Sequence, residues 1–333
     1  MTLPLALSIG DPAGVGPELA AAAWAVRNTE GLPPFFVVGS ARLVEQAARA
    51  RGLNVPVCQV KAPDEVVDCF DDALPVLDIG DLPYTPGVPC DAGATLALNA
   101  LSAATGLVRS GAASALVTGP VAKSRLARIG FTYPGQTEYV AQACGISPEN
   151  AVMMLAGPSL RVVPITVHVS LRDVPDLLSV ELIRNRAAIT AAALSRDYGI
   201  ARPRLAVAGL NPHAGEDRRM GHEDADIVAP AVALLREAGI DAVGPLPPDT
   251  MFHAEARASY DVAICMYHDQ ALIPLKALDF DAGVNVTLGL PIIRTSPDHG
   301  TAFGIAGTGT ARVGPTIAAL RMAGECATRR MNP

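Results

Sequence analysis

Three histidines each stand just past a short, strongly apolar run: Arg161-Val-Val-Pro-Ile-Thr-Val-His168, Arg204-Leu-Ala-Val-Ala-Gly-Leu-Asn-Pro-His213 and Asp261-Val-Ala-Ile-Cys-Met-Tyr-His268. Three imidazoles with an open fourth position make a divalent-metal site of the catalytic kind. The spacings, 45 and 55 residues, match no local metal motif, so the inference runs through topology. Runs of this length read as buried strands of a parallel sheet, and such sheets bind ligands at the carboxyl ends of their strands. Any one of these histidines read alone is a satisfied structural residue; the placement shared by all three turns the reading towards an enzyme's metal site. The others differ, His222 and His253 lying in polar helical or loop sequence and His299 in a glycine-rich loop. Glu216, in Asn211-Pro-His-Ala-Gly-Glu216, and Asp269, beside His268, are candidates for a further ligand or for orienting an imidazole.

A second group of residues suits an anion. Lys276, Asn285 and Arg294 flank apolar strands and offer two cations and an amide to a phosphorylated or carboxylated substrate. Arg294, inside Leu-Pro-Ile-Ile-Arg-Thr-Ser, suits a bidentate fork. Pro134-Gly-Gln-Thr-Glu138 opens a helix, which is a ready anion site, with an ordinary cap by Thr137 as the alternative. Thr118-Gly-Pro-Val-Ala-Lys123 places a lysine at another helix start, where a solvated side chain and an anion contact are both open. The turn Gly10–Glu18 fits neither the dinucleotide fingerprint nor a P-loop. It reads either as a tight strand-to-helix turn with Pro17 at the first helical position or as a ligand contact that includes Asp11. The small-residue loop from His299 to Gly307 lets a flat ligand such as adenine approach the backbone closely.

The elements that must carry these groups alternate strand and helix almost throughout, the pattern of an α/β protein. Strands are expected over Leu3–Ile9, Phe35–Val38 and Ala115–Thr118, and helices over Asp91–Arg109, Thr137–Cys144, Val180–Tyr198, Glu223–Ala238 and Gly314–Ala327. The segment from Ala62 to Pro89, with many Pro and Asp residues, reads as irregular. Half of the 333 residues are hydrophobic and only 4% aromatic, which suits small side chains packing helices onto a sheet. A net charge of -7 without a long basic run argues against nucleic acid or an anionic membrane as partner. Six scattered cysteines without a C-x-x-C pair, no secretory leader and no apolar span point to reduced thiols in a cytoplasm. No flexible linker interrupts the chain, so two lobes with a cleft between them are expected.

The motifs Gly-Asp-Pro-Ala-Gly-Val-Gly-Pro-Glu, Thr-Gly-Pro, Gly-Leu-Asn-Pro-His-Ala-Gly-Glu, Met-Tyr-His-Asp-Gln and Val-Asn-Val-Thr-Leu-Gly-Leu-Pro-Ile-Ile-Arg-Thr-Ser-Pro-Asp-His-Gly-Thr-Ala, taken in order, resemble the 4-hydroxythreonine-4-phosphate dehydrogenase family of vitamin B6 synthesis. The likeness runs from about residue 4 to about residue 325. It implies a two-lobed α/β/α sandwich like isocitrate and isopropylmalate dehydrogenases, with residues 1–130 and 294–333 forming the cofactor lobe. Residues 131–293 would form the metal and dimer lobe, with the active site in the cleft between. It further implies a homodimer and a divalent metal (zinc, cobalt, magnesium or manganese) on His168, His213 and His268, one of them supplied across the interface. Gln136, Thr137, Lys276, Asn285 and Arg294 would hold the substrate, and His299, Gly300, Thr301, Ala302 and Gly307 the NAD or NADP.

The implied reaction is oxidation and decarboxylation of 4-phosphohydroxy-L-threonine to 3-amino-2-oxopropyl phosphate. It needs a general base, for which Lys276 and Asp249 are the candidates. Two positions depart from the family pattern: Gln136 replaces a histidine, and Gly304 replaces an aspartate expected in the loop that reads the cofactor ribose. The alternatives are the same chemistry on threonate or erythronate 4-phosphate, and a metal-dependent hydrolase.

Overall fold

Short apolar runs alternating with alanine-rich stretches build an α/β architecture, as expected. The computed structural model describes residues 3–331, whose contacts gather into two compact units, residues 3–148 with 290–331 and residues 149–289. In chain order the strands are β1 (Leu5–Ser8), β2 (Phe35–Gly39), β3 (Val57–Val60), β4 (Leu74–Asp78), β5 (Leu116–Thr118), β6 (Val152–Ala156), β7 (Arg161–Pro164), β8 (Arg204–Ala208), β9 (Asp241–Leu246), β10 (Val262–Cys265), β11 (Val284–Leu288) and β12 (Arg294–Pro297). Among the described residues no helix is long and apolar enough to cross a membrane.

The first unit orders its strands β3-β4-β2-β1-β5-β12, paired in parallel. Strands β1 and β2 are buried along their whole length, which is why they read as unbroken apolar runs. The helix Asp91–Arg109 buries Leu96, Ala97, Ala100, Leu101, Ala104 and Val108, one stripe at helical spacing, against β1 and β2. Each buried leucine contributes about 1.5–3 kcal/mol. The segment that reads as irregular, 62–89, in fact contains the helix Val66–Cys69 and strand β4. The apolar run Leu74-Pro-Val-Leu is too short, and too closely framed by Asp and Pro, to stand out from its turns.

The second unit orders its strands β11-β6-β7-β10-β8-β9. Strand β6 runs antiparallel to β11 and to β7, while β7, β10, β8 and β9 are mutually parallel. The tight β6–β7 turn is closed by Gly157 N–H donating to Leu160 O (2.9 Å), and Asp279 receives the Ser159 N–H (2.8 Å). The helix Val180–Tyr198 starts on a Ser179 cap and stops at Gly199, whose φ of 67° is the left-handed conformation that ends helices. The helix expected over 223–238 is instead a π-helical turn, Asp224–Val228, leading into Ala229–Glu237. Pro230 lacks the N–H that a regular turn there needs, and widening the turn accommodates the loss.

Gly119 joins β5 to the turn that follows, and a Cβ at this position would stand 2.7 Å from Ser8 O and 2.8 Å from the Ile9 backbone. We expect Gly119→Ala to destabilise the first unit by about 1–3 kcal/mol, because backbone rather than a flexible side chain must give way. A lowered denaturant midpoint checks this, and an unchanged midpoint would show that the junction yields without cost.

Candidate active site

Three chain segments of the first unit meet around Arg294. Arg294 opens β12 and pairs in register with Leu116 of β5, so its side chain lies beside the end of β5. The guanidinium is buried (4% exposed) and donates to Thr118 Oγ1 (2.8 Å) and Thr137 Oγ1 (3.2 Å). Burial pushes Arg294 down to about 10, opposed by the nearby Glu138 carboxylate, so it is charged at neutral pH. Gln136 opens the helix Gln136–Ala143 and donates through Nε2 to Gly119 O (3.1 Å). Its Oε1 is buried without a protein hydrogen-bond partner.

Thr137 does not cap this helix. Gly135 occupies the cap position, with no side-chain cap bond, and the Thr137 hydroxyl accepts from Arg294 instead. The helix-start N–H groups therefore keep their donor capacity beside the guanidinium. A Cβ at Gly135 would lie 3.5 Å from Lys123 Nζ, which brings the lysine of the Thr118–Lys123 segment to the same place.

The turn after β1 and the loop after β12 are packed together. Gly10 has φ of 74°, and the Asp11 N–H donates to Pro120 O (2.8 Å). Asp11 is buried and its pKa is raised by desolvation, opposed by the Ala13 N–H and the charge of Arg125. Val15 N–H donates to Thr301 O (3.0 Å), and a Cβ at Gly14 would meet that oxygen at 2.7 Å. Gly14 is therefore required for the close approach of the 299–307 loop. Glu18, buried, accepts from Gly307 N–H (3.4 Å) and pairs with Arg51 (3.3 Å), which also donates to Ala311 O (2.6 Å). Ala302 has a left-handed backbone at φ 48°, and nothing lies within 4 Å of a Cβ at Gly304. His299 Nδ1 contacts Gly300 O (3.0 Å), while His299 Nε2 and Ser8 Oγ are buried without hydrogen-bond partners beside one small cavity.

In the second unit, β7, β10 and β8 are parallel neighbours, and each is followed within a few residues by one of the three histidines. The rings of His168 and His268 stand 5.8 Å apart, centroid to centroid. Both line a cavity of about 330 Å³ together with Thr166, Tyr267 and Asp269. His268 opens the helix His268–Asp279, and its Nδ1 bonds Asp269 Oδ1 (2.7 Å), an orienting contact that leaves Nε2 for another partner. His168 and His213 hold left-handed backbones at φ 54° and 52°, uncommon for non-glycine residues and concentrated at functional sites. His213 lies on the turn Pro212–Gly215, which follows β8 in the chain and packs against β9. Among the described residues, no three His, Cys, Asp or Glu side chains are grouped closely enough to hold a metal ion. The donors have the chemistry for such an ion, and two of the three stand side by side.

Lys276 shares the His268 helix and packs over the Phe280 ring (5.2 Å). Asn285 lies on β11 with its Oδ1 buried and unbonded. Asp249 is exposed on the turn Pro248–Thr250, which packs against the His213 turn. Several organising residues escape the sequence reading. Gln270 accepts the Met266 N–H (2.6 Å) and donates to Gly209 O (2.8 Å), tying the ends of β10 and β8 together. Asp224 receives the N–H groups of Leu210 (2.7 Å) and Asn211 (3.1 Å), shaping the loop that carries His213. Glu18 was visible as a lone carboxylate in an alanine-rich helix; Gln270 and Asp224 sat in polar stretches without any such contrast.

Near full-length similarity links the chain to several known proteins. The chain is 57% identical over 327 residues to a 4-hydroxythreonine-4-phosphate dehydrogenase of Erythrobacter litoralis, covering 98% of this chain and 97% of that one. A solved 4-hydroxythreonine-4-phosphate dehydrogenase from Klebsiella pneumoniae is 38% identical with a TM-score of 0.88, over 98% of both chains. A terephthalate 1,2-cis-dihydrodiol dehydrogenase from Burkholderia xenovorans is 30% identical with a TM-score of 0.67, over 97% of this chain and 98% of that one. Residues 32–323 match the family described as pyridoxal phosphate biosynthetic protein PdxA, and the chain belongs to that family.

Proposed function

We propose that the protein oxidises 4-phosphohydroxy-L-threonine with a nicotinamide cofactor, and that the keto acid formed loses carbon dioxide to give 3-amino-2-oxopropyl phosphate. The observation that carries this reading is the placement of His168, His268 and His213 after three adjacent parallel strands, in a chain of this family. These histidines would hold a divalent ion, zinc, cobalt, magnesium or manganese, with Asp269 orienting His268. When bound, the ion supplies Lewis-acid stabilisation of negative charge developing on oxygen. Arg294 and Thr137 hold the anionic end of the substrate, Gln136 Oε1 accepts from a donor group of the same substrate, and Lys276 and Asn285 are further contacts. Arg294 brings a planar fork and the helix start brings N–H donors, which together match phosphate.

Lys276 or Asp249 would take the proton from the substrate hydroxyl, and a bound nicotinamide would supply the hydride acceptor. Asp249 draws support from its turn packing against the His213 turn. The loop containing His299, Gly300, Thr301, Ala302 and Gly307 receives NAD or NADP, and the open space around Gly304 supports either. The working form is a homodimer in which one histidine is supplied by the partner subunit. Val169, Leu171 and Leu177, exposed apolar side chains that follow His168, suit burial against a second chain.

The deciding assay follows NADH formation with 4-phosphohydroxy-L-threonine and a divalent metal, beside D-threonate and D-erythronate 4-phosphates. Reduction with the amino substrate is expected; reduction only with the sugar acids would keep the chemistry and change the substrate, and turnover without nicotinamide would favour hydrolysis. Chelation should abolish turnover and added divalent metal should restore it. His213→Ala should lower bound metal in elemental analysis while leaving the far-ultraviolet circular dichroism unchanged; undiminished metal would remove His213 from the ligand set. Arg294→Lys should lower kcat/KM roughly 10- to 100-fold, the equivalent of one charge-assisted hydrogen bond, mainly through KM.

A further inference from the structure

One buried ion pair of the first unit has no part in the proposed chemistry. Glu18 lies in the first turn of the helix Gly16–Ala25, whose other residues are small or apolar, and its side chain is fully buried (0% exposed). Arg51 directly follows the helix Ala41–Ala50 and is itself mostly buried. Burying a carboxylate is strongly unfavourable unless it is paired and hydrogen-bonded. The partners of Glu18 are Arg51 Nη1 (3.3 Å) and the Gly307 N–H (3.4 Å). The other terminal nitrogen of Arg51, Nη2, donates to Ala311 O (2.6 Å). The pair is thus rooted on two helices and grips the chain after β12 at two points. Between them Thr308 and Thr310 are exposed, their hydroxyls bonded to each other (2.7 Å). Ala306 and Ala311 pack with Val15 and Leu19, but two alanine methyls are a weak hold on six residues, so the polar grip decides their order.

We propose that Glu18 and Arg51 are positioning residues for the dinucleotide, a role that rests on the 299–307 loop being the cofactor loop. Their ion pair holds residues 306–311 in the conformation that receives NAD or NADP, and so sets cofactor affinity without touching a reacting atom. Gly307 belongs to that loop and Ala311 follows it, so both grips lie at its downstream end. Both Glu18 contacts are at the long end of the hydrogen-bond range, so attraction between opposite charges away from water carries most of the hold. Arg51 suits the task because a guanidinium offers separate donors to Glu18 and to Ala311 O, where an ammonium has a single centre. When the pair is broken the loop visits other conformations, and the cofactor's apparent Kd rises by the inverse of the fraction still competent. A fall of that fraction to about one tenth raises Kd about tenfold. Arg294 and Thr137, which meet the anionic end of the substrate, lie outside this loop, so substrate binding is spared.

The test compares full-length wild type with Glu18→Gln and Arg51→Lys. Glu18→Gln keeps an oxygen for the Gly307 N–H and removes the charge. Arg51→Lys keeps both charges and removes the fork, so it still reports if the first variant folds poorly. Each should raise the Kd of NADH or NADPH about tenfold in titration calorimetry without substrate, and the cofactor KM with it. Turnover at saturating cofactor and the KM for the phosphorylated substrate should stay near the wild-type values. A second readout needs no cofactor: Arg312 is exposed and follows Ala311, so tryptic cleavage after it reports release of the Ala311 carbonyl. That cleavage should be faster in both variants and slowed again by saturating NADH. Variants with wild-type circular dichroism and an unchanged cofactor Kd would overturn the proposal, as would unchanged cleavage at Arg312. An equal rise in both KM values with a lowered melting temperature would reduce the pair to general support of the fold. Wild-type protein that binds neither NADH nor NADPH would overturn the cofactor reading of the loop and the affinity role with it. That failure is distinct from the others, because cleavage at Arg312 would still respond to the pair.

Discussion

Parallel pairing fixes the direction of each strand, and direction fixes the edge on which the following residues emerge. In the second unit this constraint acts three times over. Strands β7, β10 and β8 are neighbours in one parallel ladder, so residues as far apart as His168, His213 and His268 are brought to one edge by backbone hydrogen bonds alone. Side chains then refine what the ladder has placed. Gln270 joins the ends of β10 and β8, Thr166 Oγ1 donates to Met266 O (2.8 Å) to join β7 with β10, and Asp224 holds the loop after β8. The left-handed backbones at His168 and His213 cost about 1–3 kcal/mol each, and such strain persists only where surrounding contacts over-determine it. The local strain is the counterpart of the ladder: strand ends are fixed, so the residues leaving them must bend to aim their rings.

The first unit depends on a different constraint, a charge taken out of water. Moving a guanidinium into a protein interior costs several kcal/mol unless its N–H groups are satisfied. Thr118 and Thr137 accept from its two terminal nitrogens, one at a strand end and the other in a helix's first turn. That division of labour explains why Thr137 is not the cap. Its hydroxyl oxygen is committed to Arg294, and the helix opens on glycine, which needs no side chain there. Lysine could not reproduce the arrangement, since a compact ammonium has no planar fork to span two hydroxyls.

Much of this was legible in the sequence because the signals are local. Asp91–Arg109 and Val180–Tyr198 have the expected bounds, since apolar stripes at helical spacing and flanking caps leave little freedom. The histidines stood out because three unrelated segments shared one pattern, apolar run and then imidazole. What escaped was set by neighbours far away in the chain. Strand β4 hides in a Pro- and Asp-rich stretch, and its burial comes from β2 and β3 on either side rather than from its own composition. The antiparallel β6 could not be read either, because a tight turn at 157–160 reverses the chain where an αβ crossover was the simpler expectation. Gln270 and Asp224 bond backbone groups of segments 61 and 14 residues away, a relation that residue type alone does not announce.

Gln136 shows how a single replacement changes what a site can do without changing its frame. Its amide is held from one side, Nε2 to Gly119 O (3.1 Å), so Oε1 is turned inward as a buried acceptor. An unmet buried acceptor costs about 1–3 kcal/mol, so the position favours a ligand that brings a donor. A histidine at the same place would act as donor or acceptor according to tautomer, and would titrate near neutral pH. A carboxamide does neither. Under the proposed function, Gln136 is thus a constant contact across the working pH range, and any change of rate between pH 5 and 8 must arise from other groups. An ammonium and a hydroxyl both supply the donor that Oε1 lacks. Gln136 therefore removes a titration from the pocket without choosing between an amino acid and a sugar acid, and that choice falls to the residues that meet the rest of the substrate.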